Sequence, residues 1–175
     1  ILSDVVVVLI PSLNPDGHAM VVEWFKRNKA TPFAGGPMPW LAHAYADEDL
    51  GRDAFMMNLA ETRPVSRFFY AGWQPHVFLS LRERSEGGAR MAVPPGDGLA
   101  QPNSDPLIWR EAAVLGQVMA LELERRGRSG VVSNVVRAAY GPGDEDSAPV
   151  GHNVVCLRTE VAAAPLAMAV AGAAP

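Results

Sequence analysis

The sequence contains a single cysteine, Cys156, among its 175 residues. One cysteine excludes an internal disulfide. The chain also has no block of basic residues, and its formal net charge of −4 with a pI near 5.5 gives no reason to expect nucleic acid as a partner. It has no G-x-S-x-G elbow, no G-x-G-x-x-G motif and no phosphate-binding loop. These absences argue against a serine hydrolase and against a nucleotide-binding enzyme.

A membrane span and a targeting signal are missing as well. The apolar end of the chain, residues 161–175, is shorter than the about 20 residues that a spanning helix needs, and Pro165 interrupts it. The first residues have no basic n-region and no cleavage site, so they do not read as a signal peptide. The chain starts at Ile1 and enters an apolar run almost at once. We therefore interpret it as part of a longer or processed protein.

Segments with strand and helix patterns alternate along the chain. Half of the residues (49%) are hydrophobic, which suits one globular domain with a sizeable core. Apolar runs predict strands over Val5–Ile10, Pro75–Leu81 and Val154–Thr159, and "SLNPDGH" predicts a turn. Helical periods predict helices over residues 19–28, 51–73 (kinked or split at Pro64), 106–126 and 161–170. The alternation predicts an α/β fold with a largely parallel or mixed sheet.

Binding and catalytic residues of such folds lie just beyond the carboxyl ends of strands. Three places meet this description: the "SLNPDG" turn, Arg82 and the residues after it, and Thr159-Glu160. Arg82 is the unusual member, because a guanidinium is neither a nucleophile nor a metal ligand.

Four stretches resemble the zinc carboxypeptidase family in its bacterial branch. They are "VVVVLIPSLNPDGH", "YADEDLGRDAFMMNLAET", "GARMAVPP" and "VVCLRTEVAAAPLA", and they occur in the family's order. The resemblance extends over nearly the whole chain but corresponds to the later part of a family catalytic domain. We therefore predict a partial, N-terminally truncated domain over residues 1–170 and a tail over residues 171–175.

The resemblance implies an α/β/α sandwich around a twisted mixed, largely parallel sheet, and hydrolysis at the C-terminus of a peptide. In the family a zinc ion activates a water, a glutamate is the general base and an arginine holds the terminal carboxylate of the substrate. By position, the general base falls on Glu160 and the arginine on Arg52. Tyr140 matches a mobile aromatic residue that covers the substrate. The family also suggests a secreted or periplasmic protein.

The zinc ligands of the family do not carry over. Its His-x-x-Glu motif occurs nowhere in the 175 residues. The third ligand, a histidine in the family, falls on Arg82, its supporting aspartate falls on Ser80, and Gly51 replaces the asparagine before Arg52. Arginine stays protonated and has no lone pair for a metal. We therefore assign no metal ligand and expect this chain not to bind the family's zinc.

Three functions remain open at this stage. The chain is a weakly active or inactive binding scaffold, in which Arg82 and Arg52 hold a peptide or a small carboxylate or other anion. Alternatively it is an active metallocarboxypeptidase whose first two ligands lie on a missing upstream segment. In the third interpretation it is a structural half-domain, completed by a second chain or by that missing segment.

Overall fold

The computed structural model describes residues 3–34, 38, 49–84, 89–96, 103–135 and 141–162. By its internal contacts the chain divides into two compact units: Ile1–Asp47 with Pro165–Pro175, and Glu48–Ala164. Within the described ranges no helix has both the length and the apolar character that crossing a membrane requires. The predicted domain end at residue 170 lies outside the described residues and stays a prediction.

The first unit contains one helix, α1 (Pro15–Asn28), among its described residues. The Asn14 side chain caps it by accepting a hydrogen bond from the Gly17 N–H at 2.8 Å, and Pro15 occupies its first turn. The predicted helix over residues 19–28 is therefore confirmed, but it starts earlier. The "NPDG" segment, which we predicted as a turn, forms the cap and first turn of α1.

The apolar run Val5–Ile10 does not form the predicted strand. It has no regular secondary structure, and all six side chains are exposed. A run of β-branched residues becomes a strand only where a neighbouring strand supplies hydrogen bonds and a surface to pack on. No strand pairs with it among the described residues.

The second unit is built on a four-stranded sheet in the order β1-β4-β2-β3. The strands are β1 (Val77–Arg84), β2 (Met91–Ala92), β3 (Val131–Val132) and β4 (Val155–Ala162). The β1–β4 and β2–β3 pairs are parallel, and the β2–β4 pair is antiparallel. The predicted α/β class with a mixed, mostly parallel sheet is thus confirmed. β1 and β4 correspond to the predicted second and third strands.

A long helix, α3 (Pro106–Arg125), covers one face of β4. Asp105 caps it by accepting the Leu107 N–H at 2.8 Å, and it ends before Gly127, whose φ is 73°. The residues at the start and end of this segment predicted a helix over residues 106–126, which is close to the observed bounds. The buried core between α3, β4 and the short helix α4 (Ser147–Val150) consists of Ile108, Ala112, Val150, Val155 and Leu157.

Residues 51–73 do not form one kinked helix. They contain the end of a 3₁₀ turn (Leu50–Arg52), α2 (Thr62–Arg67) and a π-helical turn (Phe68–Trp73). Pro64 lies in the first turn of α2, where its missing N–H costs nothing, so it does not kink the helix. The predicted last helix is also wrong at its start, because residues 161–162 belong to β4. Its remaining residues lie outside the described part of the chain.

The close approach of α3 to the loop after β2 depends on Gly116. A Cβ at this buried position would overlap the Pro94 carbonyl group. We expect Gly116→Ala to lower the free energy of unfolding by about 1–3 kcal/mol, because a backbone carbonyl cannot move aside as a side chain can. Urea denaturation measures this.

Gly72→Ala is the matched control for that measurement. A Cβ at Gly72 would lie 3.7 Å from the Arg67 carbonyl oxygen, an ordinary van der Waals contact. This variant should be neutral or gain about 0.4–1 kcal/mol from a more restricted unfolded chain. If Gly116→Ala and Gly72→Ala lowered the free energy of unfolding equally, the close packing of α3 on Pro94 would be contradicted.

Candidate functional site

The parallel register of β1 and β4 places two predicted site residues side by side. Arg82 pairs with Glu160 and Ser80 pairs with Arg158 near the carboxyl ends of the two strands. Paired residues of parallel strands point to the same face. The face opposite the α3 core therefore carries four polar side chains at a place where α/β folds put their sites.

Arg82 is paired with a glutamate that arrives from outside the sheet. Its Nε donates a hydrogen bond of 2.8 Å to Glu145 Oε1, and its Nη2 lies 2.5 Å from the same oxygen. The Ser80 hydroxyl donates to that oxygen at 3.0 Å. The Nε contact is the directional bond, because no N–H of Nη2 points at an acceptor in hydrogen-bonding geometry. Two hydrogen bonds from β1 and the charge of Nη2 thus converge on one carboxylate oxygen.

A second ion pair continues the network along β4. Arg158 lies 2.9 Å from Asp146 Oδ2 through Nη1, and its Nε donates to Glu160 Oε1 at 3.0 Å. Asp146 Oδ2 is also 3.7 Å from Arg82 Nη2. We call the five residues Arg82, Glu145, Asp146, Arg158 and Glu160 the strand-end cluster. Its two guanidinium groups face three carboxylates, so its formal charge is close to balanced.

The cluster keeps Arg82 charged. Burial alone lowers the pKa of a guanidinium, but the carboxylates of Asp146 and Glu145 outweigh burial and raise the pKa of Arg82 above its usual value. Arg82 therefore carries a proton at every physiological pH and offers no lone pair.

The loop that supplies Glu145 is docked on the turn that contains Arg52. The Glu145 N–H donates to the Gly51 carbonyl, and the Ala54 N–H donates to the Gly143 carbonyl, both at 3.0 Å. A Cβ at Gly143 would overlap the Arg52 carbonyl oxygen, so glycine allows this approach. Residues 51–54 and 141–146 form one backbone unit beside the sheet.

Arg52 itself points into solvent. Its side chain is 77% exposed, and its Nε lies 3.5 Å from Asp49 Oδ2. The neighbouring Gly51 is the residue that approaches the cluster: a Cβ there would lie 3.4 Å from Arg82 Nη2. The structure therefore brings together Arg82, Glu160 and the backbone of residue 51. Tyr140 lies outside the described residues.

Sequence reasoning did not identify Glu145 and Asp146 as site residues. The pattern did contain a signal. Arg82 on β1 and Arg158 on β4 lie on the same face of the sheet, and partly buried guanidinium groups need carboxylate partners. The "DED" of residues 144–146 is the acidic run nearest before β4.

The described residues do not fit the zinc ion that the family resemblance implies. At the position that the resemblance aligns with the third ligand, the chain has the protonated guanidinium of Arg82, which would repel a divalent cation. Within the described ranges, no group of three or more histidine, cysteine, aspartate or glutamate side chains is arranged to hold a metal ion.

Comparison with protein-family models, with curated proteins and with solved structures finds no match for this chain.

Asp53 organises the segment directly after Arg52. It is completely buried and accepts hydrogen bonds from the Asn58 N–H at 2.9 Å and the Leu59 N–H at 2.8 Å. Burial raises the pKa of Asp53, but these hydrogen bonds, the Thr62 hydroxyl and the charge of Arg63 outweigh burial, and its pKa lies below 3.8. Ionised Asp53 thus fixes residues 53–59.

We expect Asp53→Asn to lower the free energy of unfolding by about 1–3 kcal/mol at neutral pH, because an amide can serve only one of the two backbone donors. The folded pKa of Asp53 is depressed, so its stabilisation is complete above the unfolded value of 3.8 and is lost as the pH falls through the folded pKa. The variant should therefore lose less stability than the wild type on acidification. Denaturant unfolding between neutral and acidic pH measures both effects.

Asp105→Asn provides the control, since asparagine caps a helix as well as aspartate does. If Asp105→Asn lowered the free energy of unfolding as much as Asp53→Asn, the role given to Asp53 would be contradicted.

Proposed function

We propose that this chain is a zinc carboxypeptidase-like domain without the zinc ligands, which serves as a scaffold for binding a carboxylate and not as a hydrolase. The observation that carries the proposal is Arg82: at the third-ligand position stands a permanently charged guanidinium, and it is bonded to Glu145. A guanidinium suits carboxylates through charge and paired N–H donors. Peptide C-termini and small organic acids are the ligand class.

The surroundings of Glu160 also support a role in binding over one in catalysis. A general base must reach, with a free lone pair, the water that it deprotonates. Glu160 Oε1 accepts the Arg158 Nε hydrogen bond, and its side chain is 12% exposed. In the proposed scaffold Glu160 balances the charge of Arg158. As the general base of an active enzyme it would first have to leave this ion pair.

Metal content decides between the scaffold and an active metallocarboxypeptidase with ligands on an upstream segment. We expect elemental analysis of this chain, and of any longer form of the protein, to find zinc far below one ion per chain after exposure to zinc and removal of the excess. Arginine at position 82 cannot replace the missing imidazole. Stoichiometric zinc in either form would overturn the proposal in favour of the enzyme.

A separate observation favours the half-domain as the second candidate. Among the described strands, β1 lies at the end of the sheet order, and its face toward the α3 side is apolar and exposed: Leu79 is 47% and Leu81 is 65% accessible. An uncovered apolar edge strand invites pairing with another strand. In the first unit the apolar run Val5–Ile10 is exposed as well.

If the half-domain interpretation holds, this chain self-associates through β1 when its completing segment is absent. Leu81→Lys should then shift sedimentation toward the monomer at little cost in melting temperature, because the side chain is already exposed. Leu107→Lys, at a similarly exposed leucine of α3, is the control and should leave association unchanged. A wild-type chain that is monomeric and melts cooperatively would remove this candidate.

A further inference from the structure

Glu145 contacts Arg82 and Ser80 in the way that a bound carboxylate ligand would. Arg82 and Ser80 are two residues apart on β1 and donate two hydrogen bonds to one oxygen atom, whereas Glu145 belongs to a loop 63 residues further along the chain than Arg82. We infer that Arg82 and Ser80 form a carboxylate-binding site whose resident ligand is the Glu145 side chain. The inference deepens the proposed function, on which it rests for the biological role of the site.

The pair is close enough to solvent for exchange with an external acid. The Arg82 and Glu145 side chains are 28% and 21% exposed. A fully enclosed pair could not exchange its carboxylate without opening the fold, but this one lies at the end of the sheet face. An external carboxylate must compete with Glu145, which has a high effective concentration because it belongs to the same chain. In the absence of an external ligand, the Glu145 side chain occupies the site.

The backbone of the loop does not depend on the Glu145 carboxylate. Residues 141–146 are held on residues 51–54 by two backbone hydrogen bonds and by the close approach of Gly143 to the Arg52 carbonyl. Removing the side chain therefore leaves the loop in place and opens a space lined by the donors of Arg82 and Ser80.

Removing the Glu145 carboxylate leaves Arg82 without a hydrogen-bonded anion, although the four remaining groups of the strand-end cluster carry balanced formal charges. Without Glu145, the carboxylate nearest to Arg82 in the cluster is that of Asp146, 3.7 Å from Nη2 and without a hydrogen bond in the described structure. Asp146 is already engaged by Arg158 Nη1 at 2.9 Å. A partly buried guanidinium that has lost its hydrogen-bonded anion attracts a replacement.

Chemical rescue of Glu145→Ala tests the inference. We expect this variant to melt at a lower temperature than the wild type, and propionate to restore the melting temperature saturably, with an apparent Kd in about the millimolar range that a ligand of this size reaches. Propionamide, which has the same shape without the charge, and chloride at equal ionic strength should restore nothing. Glu145→Gln fills the space and should not respond to propionate.

Two further variants show where the rescue acts. Arg82→Gln combined with Glu145→Ala should abolish the response, because the cationic donor is gone. Glu122→Ala removes an exposed ion pair with Arg126 on α3 and should show no response to propionate. Equal stabilisation of Glu122→Ala and Glu145→Ala, or rescue that survives the loss of Arg82, would overturn the inference.

Should Glu145→Ala fail to fold in plain buffer, it is refolded with and without excess propionate. Recovery of soluble, cooperatively melting protein only with propionate supports the site, and equal failure under both conditions contradicts it. N-acetylglycine, a model of a peptide C-terminus, is compared with propionate: tighter rescue by N-acetylglycine assigns the site to chain termini, and tighter rescue by propionate assigns it to small acids.

The result of the propionate rescue experiment is independent of the zinc measurement. A chain that binds zinc stoichiometrically and still shows rescue loses the proposed scaffold function but keeps the Arg82 site. A chain without zinc and without rescue loses the resident-ligand assignment and carboxylate binding at Arg82, but it keeps the proposal of a domain without the zinc ligands.

Discussion

The ion pair between Arg82 and Glu145 joins the parts of the second unit that form the candidate site. One partner belongs to β1 and the other to a loop far away in sequence, and the same loop is bonded through its backbone to the turn around Arg52. Both charged side chains are mostly buried. The loss of either partner would therefore leave the other charge buried and unpaired, which destabilises the fold. The backbone hydrogen bonds to residues 51–54 keep the loop beside the sheet, and the ion pair joins the Glu145 side chain of this loop to β1.

Sequence alone predicted those helices and strands that are determined by residues within or directly beside them. The start of α3 follows from Asp105 and Pro106 and its end from Gly127, and β1 and β4 follow from short apolar runs. The run Val5–Ile10 has an equally strong local preference for a strand but is not one, because strand formation needs a neighbouring strand that the segment itself cannot specify.

The candidate site was predictable in part for the same reason. The position of Arg82 near the end of a strand follows from the apolar run before it. Its partner could not be assigned, because the contact with Glu145 spans 63 residues and depends on how the loop docks on residues 51–54. Two arginines on one face of neighbouring strands indicate that carboxylates are needed nearby, but they do not say which part of the chain provides them.

Under the proposed function, the two positions where the resemblance to the carboxypeptidases fails, 51 and 82, lie beside each other. A Cβ at Gly51 would lie 3.4 Å from Arg82 Nη2 and 3.3 Å from Asp49 Oδ1, so a longer side chain at position 51 would share this space with both charged groups. Replacing Arg82 by a histidine alone would leave Glu145 without its hydrogen-bonded cation. A change at position 82 therefore has a cost at position 145, and the two positions are coupled through their charges.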